Sequence, residues 1–246
     1  MTYLNVRLGL LGLVASATMS PTTLAGPANL LDDGNFSMAT SGGLSSNSAW
    51  SLTANTPDGF NLGAQFQTGF ANAQNTGVGG TEPPGTGTGI WFRSFEGNQG
   101  GSGEPLAQAS LTQSVMAPAN GDYTLMFAAG RETNFIAGQW FVSLSSNGIG
   151  SPSVLVDLLT AAIPDGNLGG AASGNPGGTL FSITLPGVSV GDTLTVTAVM
   201  VNGQDSQIPG GQSGFLDSFA LVPAPGALAL PSVAFLVAGC RGRRRR

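Results

Sequence analysis

Ala107-Gln108-Ala109-Ser110-Leu111-Thr112-Gln113-Ser114-Val115-Met116 is followed, after a short break, by Tyr123-Thr124-Leu125-Met126-Phe127. In the first run Ala107, Ala109, Leu111 and Val115 alternate with Gln108, Ser110, Thr112 and Ser114. In the second, Tyr123, Leu125 and Phe127 fall on one face. A period of two is the signature of a strand with one buried face. Asn120-Gly121 between them supplies residues that accept positive φ, so the stretch predicts a β-hairpin. Similar runs lie at Ile90 to Phe95, Gln139 to Ser145, Val154 to Leu159, Leu180 to Leu185, Thr193 to Val201 and Phe215 to Val222. Gly-rich stretches at 76 to 89, 97 to 103 and 165 to 178 read as loops. They precede no helix and do not match a phosphate-cradling turn. Many short strands without a long helical pattern predict an all-β body, an antiparallel two-sheet sandwich or jelly roll.

Composition narrows the chemistry. The 246 residues carry a net charge of −5, with 9% charged residues, 39 Gly, one Cys and no His. Without His the Ser-His-Asp and Cys-His nucleophile systems and His-ligated zinc are excluded. The polar surface must be built from Ser, Thr, Asn, Gln and Gly. All thirteen acids lie between Asp32 and Asp217, where only Arg93 and Arg131 oppose them, so this body carries −11. A nucleic-acid partner is excluded on that balance, since phosphates need clustered Lys or Arg.

Both ends read as targeting segments. Arg7, the apolar run Leu8 to Ala15 and the small residues Thr23-Leu24-Ala25 form a secretory signal over residues 1–25, with cleavage after Ala25. Residues 223–246 join Pro223-Ala224-Pro225-Gly226 to a short apolar segment and the cluster Arg241, Arg243, Arg244, Arg245 and Arg246. The apolar run is shorter than the ~20 residues of a comfortable span, and Pro231 interrupts it. A short apolar helix with transient inner-membrane association and a cytoplasmic basic end is expected. Cys240 is the single cysteine, so no disulfide staples the body.

This tail resembles the PEP-CTERM sorting signal of exopolysaccharide-producing bacteria, with Ala224 in place of the central Glu. The resemblance implies processing by an exosortase-type enzyme and delivery to the cell surface or extracellular matrix of a Gram-negative-type bacterium. The body, residues 26–222, is similar to secreted galactose-binding-like jelly-roll domains. That likeness rests on Asn29-Leu30-Leu31-Asp32-Asp33-Gly34-Asn35-Phe36, Gln113-Ser114-Val115, Gly121-Asp122-Tyr123-Thr124-Leu125, Phe127-Ala128-Ala129-Gly130-Arg131 and Gly214-Phe215-Leu216-Asp217-Ser218-Phe219-Ala220-Leu221. Relatives include carbohydrate-binding modules, and the motifs mark the fold rather than an activity.

Trp91 and Trp140, and beside them Trp50, offer flat apolar faces for a sugar ring, against the alternative of core packing. Arg131 is a ligand-binding candidate, or the partner of a carboxylate such as Glu96, Glu132 or Asp217. Asp217 with Asp32 and Asp33 offers oxygens for a structural calcium where the chain ends meet, against turn and capping roles. Ser37 stands where carbohydrate-binding relatives carry a calcium-holding Glu. Beyond that calcium no cofactor is expected. Glu96, Glu104 and Glu132 are available to a glycosidase, but no spacing selects a pair. The sequence thus points to a non-enzymatic, surface-sorted sandwich protein associated with exopolysaccharide or envelope matrix and binding glycans. A structural or adhesive protein with a protein partner, and a carboxylate glycosidase, stand as alternatives.

Overall fold

The computed structural model describes residues 28–71, 87–99, 103–166 and 179–224. The signal segment with Ala25, and Pro225, Gly226, Cys240 and the terminal Arg cluster, lie outside the described residues. Among the described residues ten strands form two antiparallel five-stranded sheets. They are β1 (Ser51–Ala54), β2 (Ala64–Ala71), β3 (Gly87–Arg93), β4 (Ala107–Met116), β5 (Gly121–Arg131), β6 (Gln139–Ser146), β7 (Ser153–Asp157), β8 (Thr179–Val188), β9 (Thr193–Gly203) and β10 (Ser213–Pro223). One sheet runs β1-β4-β9-β6-β7 and the other β2-β3-β10-β5-β8. The protein is an all-β, two-sheet antiparallel sandwich of jelly-roll type.

The inner faces are those that the period of two selects. Leu111, Leu194, Val196, Ala198, Val142 and Leu144 from the first sheet are fully buried against Leu125, Phe127, Phe92, Leu216 and Phe219 from the second. The outer face of the first sheet carries hydroxyls in cross-strand register, Ser51 beside Thr112, Thr112 beside Thr197 and Thr197 beside Ser143. The uncharged surface polarity expected from composition is therefore organised by the strand pleat.

The hairpin expectation is corrected. β4 pairs with β1 and β9, whereas β5 pairs with β10 and β8, so the two strands belong to opposite sheets. Their apolar faces meet across the core instead of lying side by side. The reason sits in the connection. Pro118 has no N–H to offer a ladder, and the Tyr123 hydroxyl donates to Ala119 O at 2.7 Å and accepts from Ala119 N at 3.2 Å. The chain is thus held in a corner, the job a buried tyrosine does at the turn of some other sandwiches. The end of β10 also takes in the first residues of the tail motif. Pro223 is paired with Tyr123, and Ala224 N–H donates to Asp122 O at 2.8 Å.

Removing the corner hydroxyl with Tyr123→Phe strands the Ala119 amide and carbonyl. The expected loss is about 1–3 kcal/mol, read as a fall in Tm of roughly 2–4 °C per kcal/mol for a domain of this size. An unchanged melting curve would show that the corner is held by the core alone.

Candidate functional site

Strand parity places one face of β3 outside the sandwich. Trp91 lies opposite Gln65 of β2 and Phe215 of β10, and Phe215 lies opposite Gly130 of β5, so amide, indole, phenyl and glycine form a row across the second sheet. Within this face Phe215 and Ala128 are buried, and Trp91 packs half-buried against them. Two residues on, Arg93 sets its guanidinium carbon 4.8 Å from the Trp91 ring centre and 5.2 Å from that of Phe95. Both distances are within cation–π range.

Arg93 is held there by Glu96, which sits in the 3-10 turn Ser94–Glu96 that ends β3. Arg93 Nη2 donates to Glu96 Oε1, and Gln99 Nε2 donates to Glu96 Oε2 at 2.8 Å. Among the described residues this is the ion pair of the protein. Burial pushes the Glu96 carboxyl above its ordinary value of 4.5, Arg93 pulls it down, and the charge of Asp58 adds to the upward push.

Trp91, Phe95 and Phe215 line a pocket of about 330 Å³ with Glu132 and the segment Gly210 to Ser213. Its rim is braced from several sides. Gly210 and Gly211 both take positive φ, at 75° and 72°, a turn that Cβ-bearing residues resist. Asn134 N–H donates to Gly211 O at 2.8 Å. The Gln212 amide is spent on the same loop, accepting from Ser206 N at 2.6 Å and donating to Ile208 O at 2.9 Å. Glu132 Oε2 accepts from Ser213 N at 2.8 Å, leaving Oε1 as the pocket's acceptor. Aromatic walls with a few fixed polar groups are the composition of a small-molecule site.

The other predicted site residues separate. Trp140 is corrected from ligand platform to core. It is fully buried between Phe135 and Phe92, at ring distances of 4.9 and 5.9 Å, and a Cβ on Gly214 would lie 2.8 Å from its ring. Trp50 is likewise core, 4% exposed, with Nε1 donating to Asp33 O. Arg131 does not meet Glu96, Glu132 or Asp217. Its Nη1 donates to the carbonyls of Leu158 and Leu159, both at 2.6 Å, and it lines a separate cleft of about 480 Å³ between the sheet ends. That cleft also contains Thr133, Phe135, Ile163 and Asp165.

The calcium expectation does not fit these residues. Asp33 Oδ1 accepts from Ser37 Oγ and Met38 N within its own turn, and Asp32 Oδ2 accepts from Ala49 N across a loop, so both carboxylates serve as acceptors for protein donors. Asp217 is buried in β10, and no group of three acids able to hold a metal occurs among the described residues. Glu104 is exposed and Glu96 is tied to Arg93, so the three glutamates considered for a glycosidase do not form a matched pair.

No family model and no curated protein matches the chain. Among solved structures it is similar to TmCBM61, solved in complex with β-1,4-galactotriose, with 16% identity, a TM-score of 0.43, and coverage of 79% of this chain and 98% of that one. It is also similar to the enzymatically active domain of tailspike protein 4 of bacteriophage CBA120, with 11% identity, a TM-score of 0.45, and coverage of 79% of this chain and 21% of that one. A third is the K1 cleaved adhesin domain of the Lys-gingipain of Porphyromonas gingivalis W83, with 13% identity, a TM-score of 0.38, and coverage of 77% and 95%.

The raised Glu96 value sets a pH signature. The folded state holds that proton more tightly than the unfolded chain, so the Glu96 contribution to stability falls as pH climbs from about 4.5 through the raised value. Denaturant unfolding of the protein and of Glu96→Gln across pH 4 to 7 reads it. The stability of the native protein relative to the variant is expected to decline with pH. A relative gain would mean that the attraction of Arg93 outweighs burial.

Proposed function

We propose that this chain is an exported, non-enzymatic glycan-binding sandwich of the exopolysaccharide or cell-envelope matrix. The observation that carries the binding is the Trp91–Phe95 pocket. Pyranose rings present an apolar C–H face and an equatorial rim of hydroxyls. Half-buried aromatic rings receive the first, and a carboxylate acceptor such as Glu132 Oε1 receives the second. The Arg93–Glu96 pair and the Gln212 brace pre-order the pocket, which lowers the entropic cost of closing on a flexible sugar. With Glu96 and Glu132 engaged in internal bonds, the reading is of a binding protein and not of a hydrolase. It calls for no cofactor.

Location belongs to the same proposal and rests on the sequence of the two ends. The signal segment would export the body. The Pro223-Ala224-Pro225-Gly226 tail with its Arg cluster would be handled by an exosortase-type enzyme after a transient stay in the inner membrane. The destination is the cell surface or matrix of a Gram-negative-type bacterium.

The purified full chain should bind at least one member of a panel of neutral polysaccharides, including the producer's own exopolysaccharide, in affinity electrophoresis. Trp91→Ala should weaken that binding about tenfold or more, equivalent to about 1.4 kcal/mol, and EDTA should leave it unchanged. Deleting residues 225–246 should release the protein from the cell surface to the medium. Absence of any saccharide binding, with adhesion to a protein partner instead, would replace this reading with the structural one.

A further inference from the structure

We infer that the cleft around Arg131 and Asp165 is a second saccharide subsite, which takes the sugar next to the one in the Trp91 pocket on the same chain. The inference rests on the glycan reading above. It adds that the ligand is an oligosaccharide of neutral sugars, recognised at two places.

The chemistry of the cleft is that of a diol. Arg131 Nη1 is fixed by two main-chain carbonyls, those of Leu158 and Leu159. This orients the planar guanidinium and leaves Nε and Nη2 as donors with no other partner among the described residues. Asp165 Oδ1 accepts from Thr133 N at 2.8 Å, which fixes the carboxylate and leaves Oδ2 as an acceptor. Arg131 and Asp165 line the same cleft without forming an ion pair. A sugar hydroxyl both accepts and donates, so two adjacent hydroxyls satisfy a donor fork and a carboxylate at once. The two formal charges cancel, which favours an uncharged ligand. Phe135 and Ile163 supply apolar wall for the ring, and about 480 Å³ lies within the ordinary range of ligand sites.

Continuity comes from the turn after β5, closed by Phe135 N–H donating to Glu132 O at 3.1 Å. Arg131, Thr133 and Phe135 line this cleft, whereas Glu132 lines the Trp91 pocket. The two sites therefore share one wall, the turn from Glu132 to Phe135 that follows β5. Asn134, within that turn, is bonded to Gly210 O and Gly211 O, so the wall between the sites is tied to the rim of the first. A chain lying over Glu132 and Thr133 contacts both.

The test is isothermal titration of the full chain with galactose, β-1,4-galactobiose and β-1,4-galactotriose, and with the matching cello- and xylo-oligosaccharide series. In whichever series binds, affinity is expected to rise about tenfold or more from one sugar to three. Asp165→Asn keeps an oxygen for the Thr133 amide but replaces the free acceptor, so it should abolish that rise while leaving the monosaccharide affinity and the Tm unchanged. Ile163→Trp, which fills the cleft, should do the same. Arg131 is left intact because it braces Leu158 and Leu159. Binding that needs Trp91 but neither grows with chain length nor responds to the two variants overturns the second subsite and leaves the first. Failure of every sugar to bind overturns both.

Discussion

The sandwich hangs on a bulge in β10. Between Asp217 and Ala220 the register with β5 slips, and Ser218 takes φ of 57°. A bulge leaves ladder groups unpaired, and here the N-terminal segment satisfies them. Asn29 Nδ2 donates to Phe219 O at 3.0 Å, Asn29 Oδ1 accepts from Leu221 N at 2.8 Å, and Phe219 N donates to Gly34 O at 2.8 Å. The approach is so close that a Cβ on Gly34 would lie 2.0 Å from Phe219 O, so only glycine fits. Gln113 fastens the same segment to the other sheet, accepting from Asp32 N and donating to Asp32 O. Phe219 is thereby turned inward onto Phe127, Trp50 and Phe36 at ring distances of 5.2 to 5.8 Å. Phe36 itself accepts a positive φ to reach them.

β10 also links this clasp to the site. Its first residues, Ser213 to Phe215, face Arg93, Trp91 and Arg131, and its last, Pro223, pairs with Tyr123. Eleven residues at about 3.3 Å each separate the two ends by roughly 30 Å. The chain leaves β10 at the end away from the aromatic pocket. Under the surface-sorted reading proposed above, retention through residues beyond Ala224 would leave the pocket at the far end of β10 from the attachment.

Much of this architecture is legible in the sequence because half-buried strands impose a period of two, and seven of the predicted runs coincide with β3 to β10 apart from β5, whose start was also foreseen. β1 and β2 escape that reading, since β1 has four residues and β2, Ala-Gln-Phe-Gln-Thr-Gly-Phe-Ala, is rich in residues of low strand preference. The partner of a strand is a different matter. β4 and β5 show the pattern of a hairpin, yet period two is the same whether two strands lie side by side or face each other across a core. The site was half legible for a similar reason. Trp91 and Trp140 are equivalent in the sequence, each beside a phenylalanine, and only the packing of Trp140 against Phe135 and Phe92 separates them. Arg93 is not among the site residues the sequence suggests, although Trp91, Arg93 and Phe95 at alternate positions of the run Ile90 to Phe95 already place a cation beside two rings. Arg131 was matched to carboxylates by charge. The structure instead uses main-chain carbonyls, whose positions no sequence pattern displays.

Charge then decides what the pocket and the cleft can admit. The body carries −11, and its two cations both lie at the site end, one committed to Glu96 and the other to the Leu158 and Leu159 carbonyls. An acidic polysaccharide approaching that end meets the field of thirteen carboxylates with little cationic capacity to offset it, and the repulsion is greatest at low ionic strength. A neutral glycan meets no such barrier and loses nothing to it. On the glycan reading proposed above, discrimination between the two would come from repulsion built into the whole surface, and the aromatic rings and fixed acceptors would decide among neutral sugars. On that reading, the presence of only two Arg and no Lys in the body would be a condition of specificity rather than a mere bias of composition.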